Sequence, residues 1–251
     1  MSAGILYLGD TSLGSAAAYV AGLISHADWK LDYLPTFSNV EPDLVEAPRR
    51  LFILSDFTAA CFDHKLQRIM LDHVLGGAGL IMIGGWESFN GESGHWGGTP
   101  VSEALPVIIA DDDDRVNCDR PTFACAVKDH EVLAGLPWAT RPPTIGGYNR
   151  FKVKIDAELL LESRTYDAAV DGDRITLTEA GRDPLLAVGE YGKGRMAALA
   201  TDVAPHWVGP MIDWGERRVS AQSWLPGAID IEVGDCYAQF VTQLLQWAGR
   251  L

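Results

Sequence analysis

The chain has 251 residues, 47% of them hydrophobic, enough for the core of one large domain. Its formal net charge of -14 repels phosphate backbones, which excludes nucleic acid as the main partner and leaves small polar metabolites or copies of the chain itself. No stretch approaches the ~18 uninterrupted apolar residues of a membrane span, and the N-terminus lacks the basic start and long apolar core of a signal peptide, so the expectation is a soluble, cytoplasmic protein with no membrane partner.

Gly4 to Gly9 is a short apolar run, followed by a polar turn at Asp10 and then the small and apolar spacing of a buried helix from Ser15 to Ile24. Leu31 to Phe37 predicts a second strand, Pro42 to Ala47 a short helix, and Arg50 to Ser55 a third strand running into Asp56. Phe62 to Leu75 is amphipathic at helical spacing and ends at Gly76-Gly77. Gly79 to Ile83 is then the fourth strand, and it breaks into two glycines followed by Trp86-Glu87-Ser88. Strand and helix alternating at this pitch predict a doubly wound, mostly parallel α/β sheet. No G-x-G-x-x-G follows the first strand, so no dinucleotide cofactor is implied.

Residues 86–105 are rich in glycine and polar side chains and read as a functional loop, with His95-Trp96 as part of a lid and a short helix starting at Thr99. Asp111 to Asp114 reads as a solvated acidic turn. From about 115 to 190 the texture changes to runs at 151–155, 159–164, 168–170 and 185–191, joined by turns such as Asp171-Gly172-Asp173, which predict an antiparallel β extension of the single domain spanning 1–251. An exposed apolar face on that extension would mark a homo-oligomer contact. Met196 to Thr201 is another buried strand, delivering Asp202 to Trp207, and Cys236 to Leu251 a closing helix.

Residues just past the carboxyl ends of parallel strands are the first candidates for function. Asp10, Asp56, Glu87 and Asp202 all stand there, with Ser88 and His206 beside them and Trp86 and Trp207 as walls for a small polar metabolite. Two carboxylates forced together in such a pocket would divide acid and base roles between them. Each residue has a plainer reading as well: Asp202 as a helix cap, His206 as a loop cap, the other acids as acceptors for loop amides. Tyr148 and Arg150 would add an edge for an anionic group, and Arg150 would equally serve a surface ion pair. The four cysteines, Cys61, Cys118, Cys125 and Cys236, form no C-x-x-C pair, and no compact set of metal ligands occurs in the sequence.

The segments GLIMIGGWESFNG (79–91), TPVSEALPV (99–107) and YGKGRMAALATDVAPHW (191–207), in that order, resemble a glutamine amidotransferase-like family within the class I glutamine amidotransferase-like superfamily, and more distantly the ThuA-like proteins associated with sugar metabolism. The resemblance implies a flavodoxin-like α/β sandwich. It also implies a cysteine at a sharp turn after the strand at Gly79–Ile83, activated by a histidine and a glutamate from a later strand end. Here that turn offers Gly85 and Trp86, and the later strand end offers Asp202 and His206 without the His-x-Glu spacing. Attack on a glutamine amide needs a thiolate, so ordinary glutamine hydrolysis is not expected, while a hydrolase or lyase reaction with Glu87, Asp202 and His206 as acid/base groups stays open beside a non-catalytic binding or oligomeric role. Cys61, after the third strand, would be a substitute thiol only if it approached His206, and a buried structural thiol is the plainer reading.

Overall fold

Runs of apolar residues too short for helices and too continuous for a half-solvated sheet make the centre of the molecule. In the computed structural model, which describes residues 4–251, the first half of the chain reads β1 (Gly4–Gly9), α1 (Ala17–His26), β2 (Leu31–Leu34), α2 (Pro42–Glu46), β3 (Arg49–Ser55), α3 (His64–Gly76) and β4 (Gly79–Ile83). After α4 (Pro100–Ala104) come five short strands, β5 (Val107–Ile109), β6 (Arg115–Asn117), β7 (Thr122–Ala126), β8 (Gly147–Asn149) and β9 (Phe151–Val153). Two long strands follow, β10 (Glu158–Asp171) and β11 (Arg174–Tyr191), and the chain closes with β12 (Gly194–Leu199), β13 (Arg218–Gln222), β14 (Asp230–Gly234) and α5 (Asp235–Gly249).

The main sheet has eight strands in the order β2-β1-β3-β4-β12-β11-β10-β7. The first five are parallel to one another, and β11, β10 and β7 continue them as an antiparallel extension. The order 2-1-3-4 followed by β12 is the flavodoxin-like one, and it places a topological switch point between β1 and β3. From β1 the chain crosses to one side, towards β2; from β3 it crosses to the other, towards β4. With right-handed crossovers, α1 and α3 therefore lie on opposite faces, and α5 joins α1. Ile5–Leu8, Leu51–Leu54, Leu80–Ile83 and Met196–Leu199 are almost wholly buried, as helices on both faces require.

The β-rich extension differs in detail from its sequence reading. The runs at 159–164 and 168–170 belong to one 14-residue strand, and β11 is 18 residues long. Polar positions such as Asp167 and Thr176 interrupt the apolar pattern, but the Asp171-Gly172-Asp173 turn fixes the ladder and carries the pairing through them. The second strand stops at Leu34, before Pro35, whose missing N–H cannot continue a ladder. The pairs β5–β9, β6–β8 and β13–β14 went unpredicted, since three to five residues show no usable periodicity. The β6–β8 pair has a functional consequence, because its register sets Arg115 opposite Asn149 at the edge where the candidate site lies.

Candidate active site at the switch point

β1 and β3 run out at the switch point into Asp10 and Asp56, both with left-handed backbone (φ 44° and 46°), a conformation aspartate tolerates better than most residues. Asp10 is 1% exposed. Its Oδ2 accepts the Tyr7 hydroxyl, and its carbonyl accepts the Tyr33 hydroxyl at 2.6 Å. Its Oδ1 has no hydrogen-bond partner, and neither does the neighbouring Ser55 hydroxyl. Asp202, at the end of β12 and 7% exposed, accepts the Val203 and Ala204 amides at 2.6 and 3.0 Å. Asp56 accepts the Glu87 amide at 3.0 Å and donates its own amide to Ser88 Oγ at 2.9 Å.

Among the described residues no cation acts on Asp10, Asp56 or Asp202, so burial dominates their titration and mutual repulsion adds to it. Burial pushes Asp10 up to about 6, with the Tyr7 hydroxyl holding back part of the rise and the Glu87 charge adding to it. Burial first, then the charges of Asp202 and Asp10, raise Asp56 well above the carboxylate range. Asp202 is raised likewise, by burial and by Asp10. Glu87, half-buried, is also raised, chiefly by burial. Asp10, Asp56 and Asp202 form a cluster of acids whose protonation reaches well above the ordinary carboxylate range, with the more weakly shifted Glu87 beside it.

The turn after β4 is shaped by the same carboxylates. A Cβ on Gly85 would lie 1.8 Å from Asp56 Oδ1. The space a side chain would need at the glycine turn is therefore taken by an acid from the neighbouring strand. Asn149 fastens the turn from the other side: its Oδ1 accepts the Gly85 amide at 2.9 Å, and its Nδ2 donates to the Gly85 carbonyl at 3.1 Å and to Asp114 Oδ1 at 2.6 Å. Asp114 Oδ2 accepts the Asn90 amide at 2.8 Å. The acidic run is thus not a uniformly solvated turn: Asp111 to Asp113 are exposed, but Asp114 is 3% exposed, and burial pushes it up to about 6. Trp96, expected in a lid, is a bolt, fully buried with its indole N–H on the Phe57 carbonyl at 2.8 Å.

The other predicted residues separate. Trp86 is 38% exposed, with the His206 ring edge-on at 6.0 Å and the Arg115 guanidinium 4.8 Å from its centroid. His206 itself is exposed, and no hydrogen bond joins it to Asp202 or Glu87. Trp207 is no wall of an open pocket: it is 1% exposed, its indole donates to Asn117 Oδ1 at 2.7 Å, and its ring lies where a Cβ on Gly147 would be, 2.3 Å away. Tyr148 and Arg150 leave the acid cluster altogether and turn to Asp183, at 2.7 and 3.6 Å, in a cleft of about 220 Å³. Alternation along β8 explains the split, since it sends Asn149 one way and its neighbours the other. Cys61, in the single turn after β3, packs at the margin of the core, and its carbonyl accepts the Val40 amide at 3.0 Å.

Sequence reasoning missed Tyr7, Tyr33, Asn149 and Asp114, and also Phe37. That last side chain is 64% exposed on left-handed backbone (φ 65°), a strained state for a bulky residue, one position after Thr36, whose hydroxyl binds the Asp56 carbonyl. Tyr7, at alternate spacing from Asp10's strand end, and Asn149, flanked by two selected residues, carried a signal in strand parity. Phe37 carried none.

Comparison with known families agrees with this architecture. A profile of the family described as "Putative glutamine amidotransferase" matches residues 49–226, more than half of the chain. The chain belongs to this glutamine amidotransferase-like family. Among solved structures it is similar to the cytoplasmic proteins STM3548 and STM1381 of Salmonella typhimurium, each at 23% identity, with TM-scores of 0.69 and 0.71 and coverage of 98% and 97% of this chain and 98% of each of theirs. A ThuA-like protein from Parabacteroides merdae aligns at 14% identity and TM-score 0.57, covering 99% of this chain and 90% of its own. At these identities the likeness shows the fold. No curated protein sequence matches the chain. Among the described residues no helix is long and apolar enough to cross a membrane.

Two outcomes follow for this amidotransferase-like chain. Gly85→Ala should destabilise it by about 2 kcal/mol or more, because the new methyl meets a carboxylate held in place. In a denaturation cycle with Asp56→Ala, the double variant should lose less than the sum of the two single losses; strict additivity would show that the two residues do not contend for that volume. The second concerns pH. Asp10, whose pKa rises from 3.8 to about 6 on folding, binds more protons in the native state than in the unfolded one between those values, so its contribution to stability is greatest on the acid side and declines as pH rises through the window. Asp10→Asn should therefore raise stability at pH 7.5 by about 1–3 kcal/mol and flatten the dependence between about pH 4 and 6. An unchanged slope in thermal melts across that range would remove Asp10 as its source.

Proposed function

We propose that this protein binds a small polar metabolite over the switch point and transforms it by carboxylate acid/base chemistry, as a hydrolase or lyase, and that it does not hydrolyse glutamine through a thiolate. The observation that supports this reading is the convergence of Asp10, Asp56 and Asp202, from three strand ends, in a buried cluster whose carboxyls are raised well above their ordinary range, with Glu87 raised as well beside them. A carboxylic acid held neutral by burial can donate a proton, and a neighbouring carboxylate can accept one. Glu87 is the acid of the set that a ligand can reach, being half-buried next to the exposed indole of Trp86. Burial holds the Glu87 proton, the Ser93 hydroxyl at 3.3 Å and the Arg115 charge oppose it, and Asp56 fixes the Glu87 backbone through its amide. His206, edge-on to Trp86, belongs to the rim and contributes to binding. Against glutamine chemistry stands the glycine at position 85, whose side-chain space Asp56 fills.

A second reading is a binding module without turnover. It is favoured by Asp202, whose Oδ1 is committed to two backbone amides, as a structural cap would be.

The two readings separate in a thermal-shift screen against a library of polar metabolites, followed by turnover assays on the compounds that stabilise the protein. Catalysis predicts that Glu87→Gln lowers turnover of a stabilising compound by about 100-fold or more while its affinity changes only a few-fold. Binding without turnover in the wild type would select the second reading. Ammonia release from glutamine at enzymic rates would overturn the proposal.

A further inference from the structure

The edge of the sheet opposite the acids is basic. Arg50 at the start of β3, Gly76 at the end of α3 and Arg250 just past α5 line one cleft of about 550 Å³, with Asp72 and His73 also facing it. β3 spans seven residues from this edge to Ser55, so about 20 Å separates the cleft from Asp56. Among the described residues Arg50, Arg68, Arg174 and Arg250 are the arginines that form no ion pair, and two of these share the cleft. In a chain of net charge -14 that is an unbalanced concentration of positive charge.

Both guanidiniums are fixed by helix ends. Arg50 Nε donates to the Gly249 carbonyl at 3.1 Å, and Arg250 Nη1 donates to the Gly77 carbonyl at 2.9 Å. These bonds cap the C-termini of α5 and α3, whose partial negative charge would otherwise turn an anion away. Among the described residues they leave Nη1 and Nη2 of Arg50, and Nε and Nη2 of Arg250, without a partner. Arg49, by contrast, is fully engaged, with Nε and Nη2 on the Leu44 carbonyl and Nη1 on Asp32. Lys193, whose Cβ lies beside Gly77, adds charge at the margin. Asp72 is the carboxylate of the cleft, and it pairs with neither free arginine. The space between them is open for a reason the fold does not supply. Gly77 has φ 123° and closes the helix as only glycine readily can. Gly76 has no such need: it is still helical, where glycine costs stability relative to alanine, and a Cβ there would meet nothing within 4 Å.

We propose that this cleft binds a phosphate group, free or carried by a small metabolite, with Arg50 and Arg250 as its ligands. Guanidinium forks match the oxygens of a phosphate, and two of them balance a dianion where a carboxylate would leave one unmatched. The volume suits a phosphate with a small group attached. A long polyanion is refused by the charge of the rest of the chain.

Thermal shift and calorimetry on the intact protein, at ionic strength held constant with chloride, test this with inorganic phosphate and glycerol 3-phosphate, each up to about 20 mM, a range that reveals affinities of that order. The expected result is saturable binding of at least one of them. R50Q/R250Q should weaken it by about tenfold or more. G76E, which sets a carboxylate beside the arginines where the fold leaves room, should do the same and carries the test if loss of the two caps unfolds the first variant. K65Q/R174Q, which removes as much charge from outside the cleft, should bind like the wild type. Tighter binding of the ester assigns the cleft to a phosphorylated metabolite, and tighter binding of inorganic phosphate assigns it to the free ion. A wild type that binds neither, or binding that survives G76E, would overturn the proposal.

Discussion

One volume at the end of β4 is claimed by two residues, and the rest of the site depends on which has it. Asp56 places its carboxylate where a side chain on residue 85 would have to go, so the chain can turn there only with glycine. With Gly85 in place, Asn149 can reach both of its backbone groups and tie them to Asp114, and Asp56 can take the Glu87 amide. A thiol nucleophile and this arrangement exclude each other sterically. The space beside the turn is filled by an acid from the neighbouring strand.

The cost of that change is electrostatic. Three aspartates sit past the strand ends with no cation acting on them among the described residues, and their charged forms are penalised by burial and by neighbouring carboxylates. Such a cluster weakens the fold at neutral pH, which is the pattern expected where stability has been yielded to a site. The three tyrosines around it stay protonated, since burial raises the phenols further above neutrality, and each donates one hydrogen bond here. Tyr7 and Tyr33 brace Asp10, and Tyr237 holds the Val203 carbonyl beside Asp202. The acids are therefore positioned by neutral hydrogen bonds that leave their charge uncompensated.

Family membership settles less than this local geometry does. A similar fold serves a ThuA-like protein and the cytoplasmic Salmonella proteins alike, and a shared fold carries no reaction with it. The features that the fold alone does not account for are the contents of the switch point at one end and, on the extension, a ribbon that leaves Val170, Ile175 and Leu177 exposed. Both depart from what a minimal doubly wound domain needs, and neither is required to close its core.

Periodicity alone determined the parallel half of the molecule: β1, β3, β4 and β12 are buried on both faces, so their apolar runs are continuous and unmistakable, and parallel connection is enough to put the acids that follow them on one edge of the sheet. The glycine pair and tryptophan that follow β4 were equally plain. Tertiary structure alone decided which of these residues meet. Trp207 and Trp86 are both tryptophans after strands, yet one is buried on Gly147 and the other faces solvent. Tyr148 and Arg150 flank Asn149, yet only Asn149 reaches the site, because strand parity turns neighbours apart and nothing in a three-residue strand announces its parity. Asp114 could not be told from its three acidic neighbours, since burial depends on the Asn90 and Asn149 that fold over it from 24 and 35 positions away. Local pattern records which face of an element is apolar; it holds no record of the long-range contacts that bring one particular carboxylate, and not its neighbour, out of water.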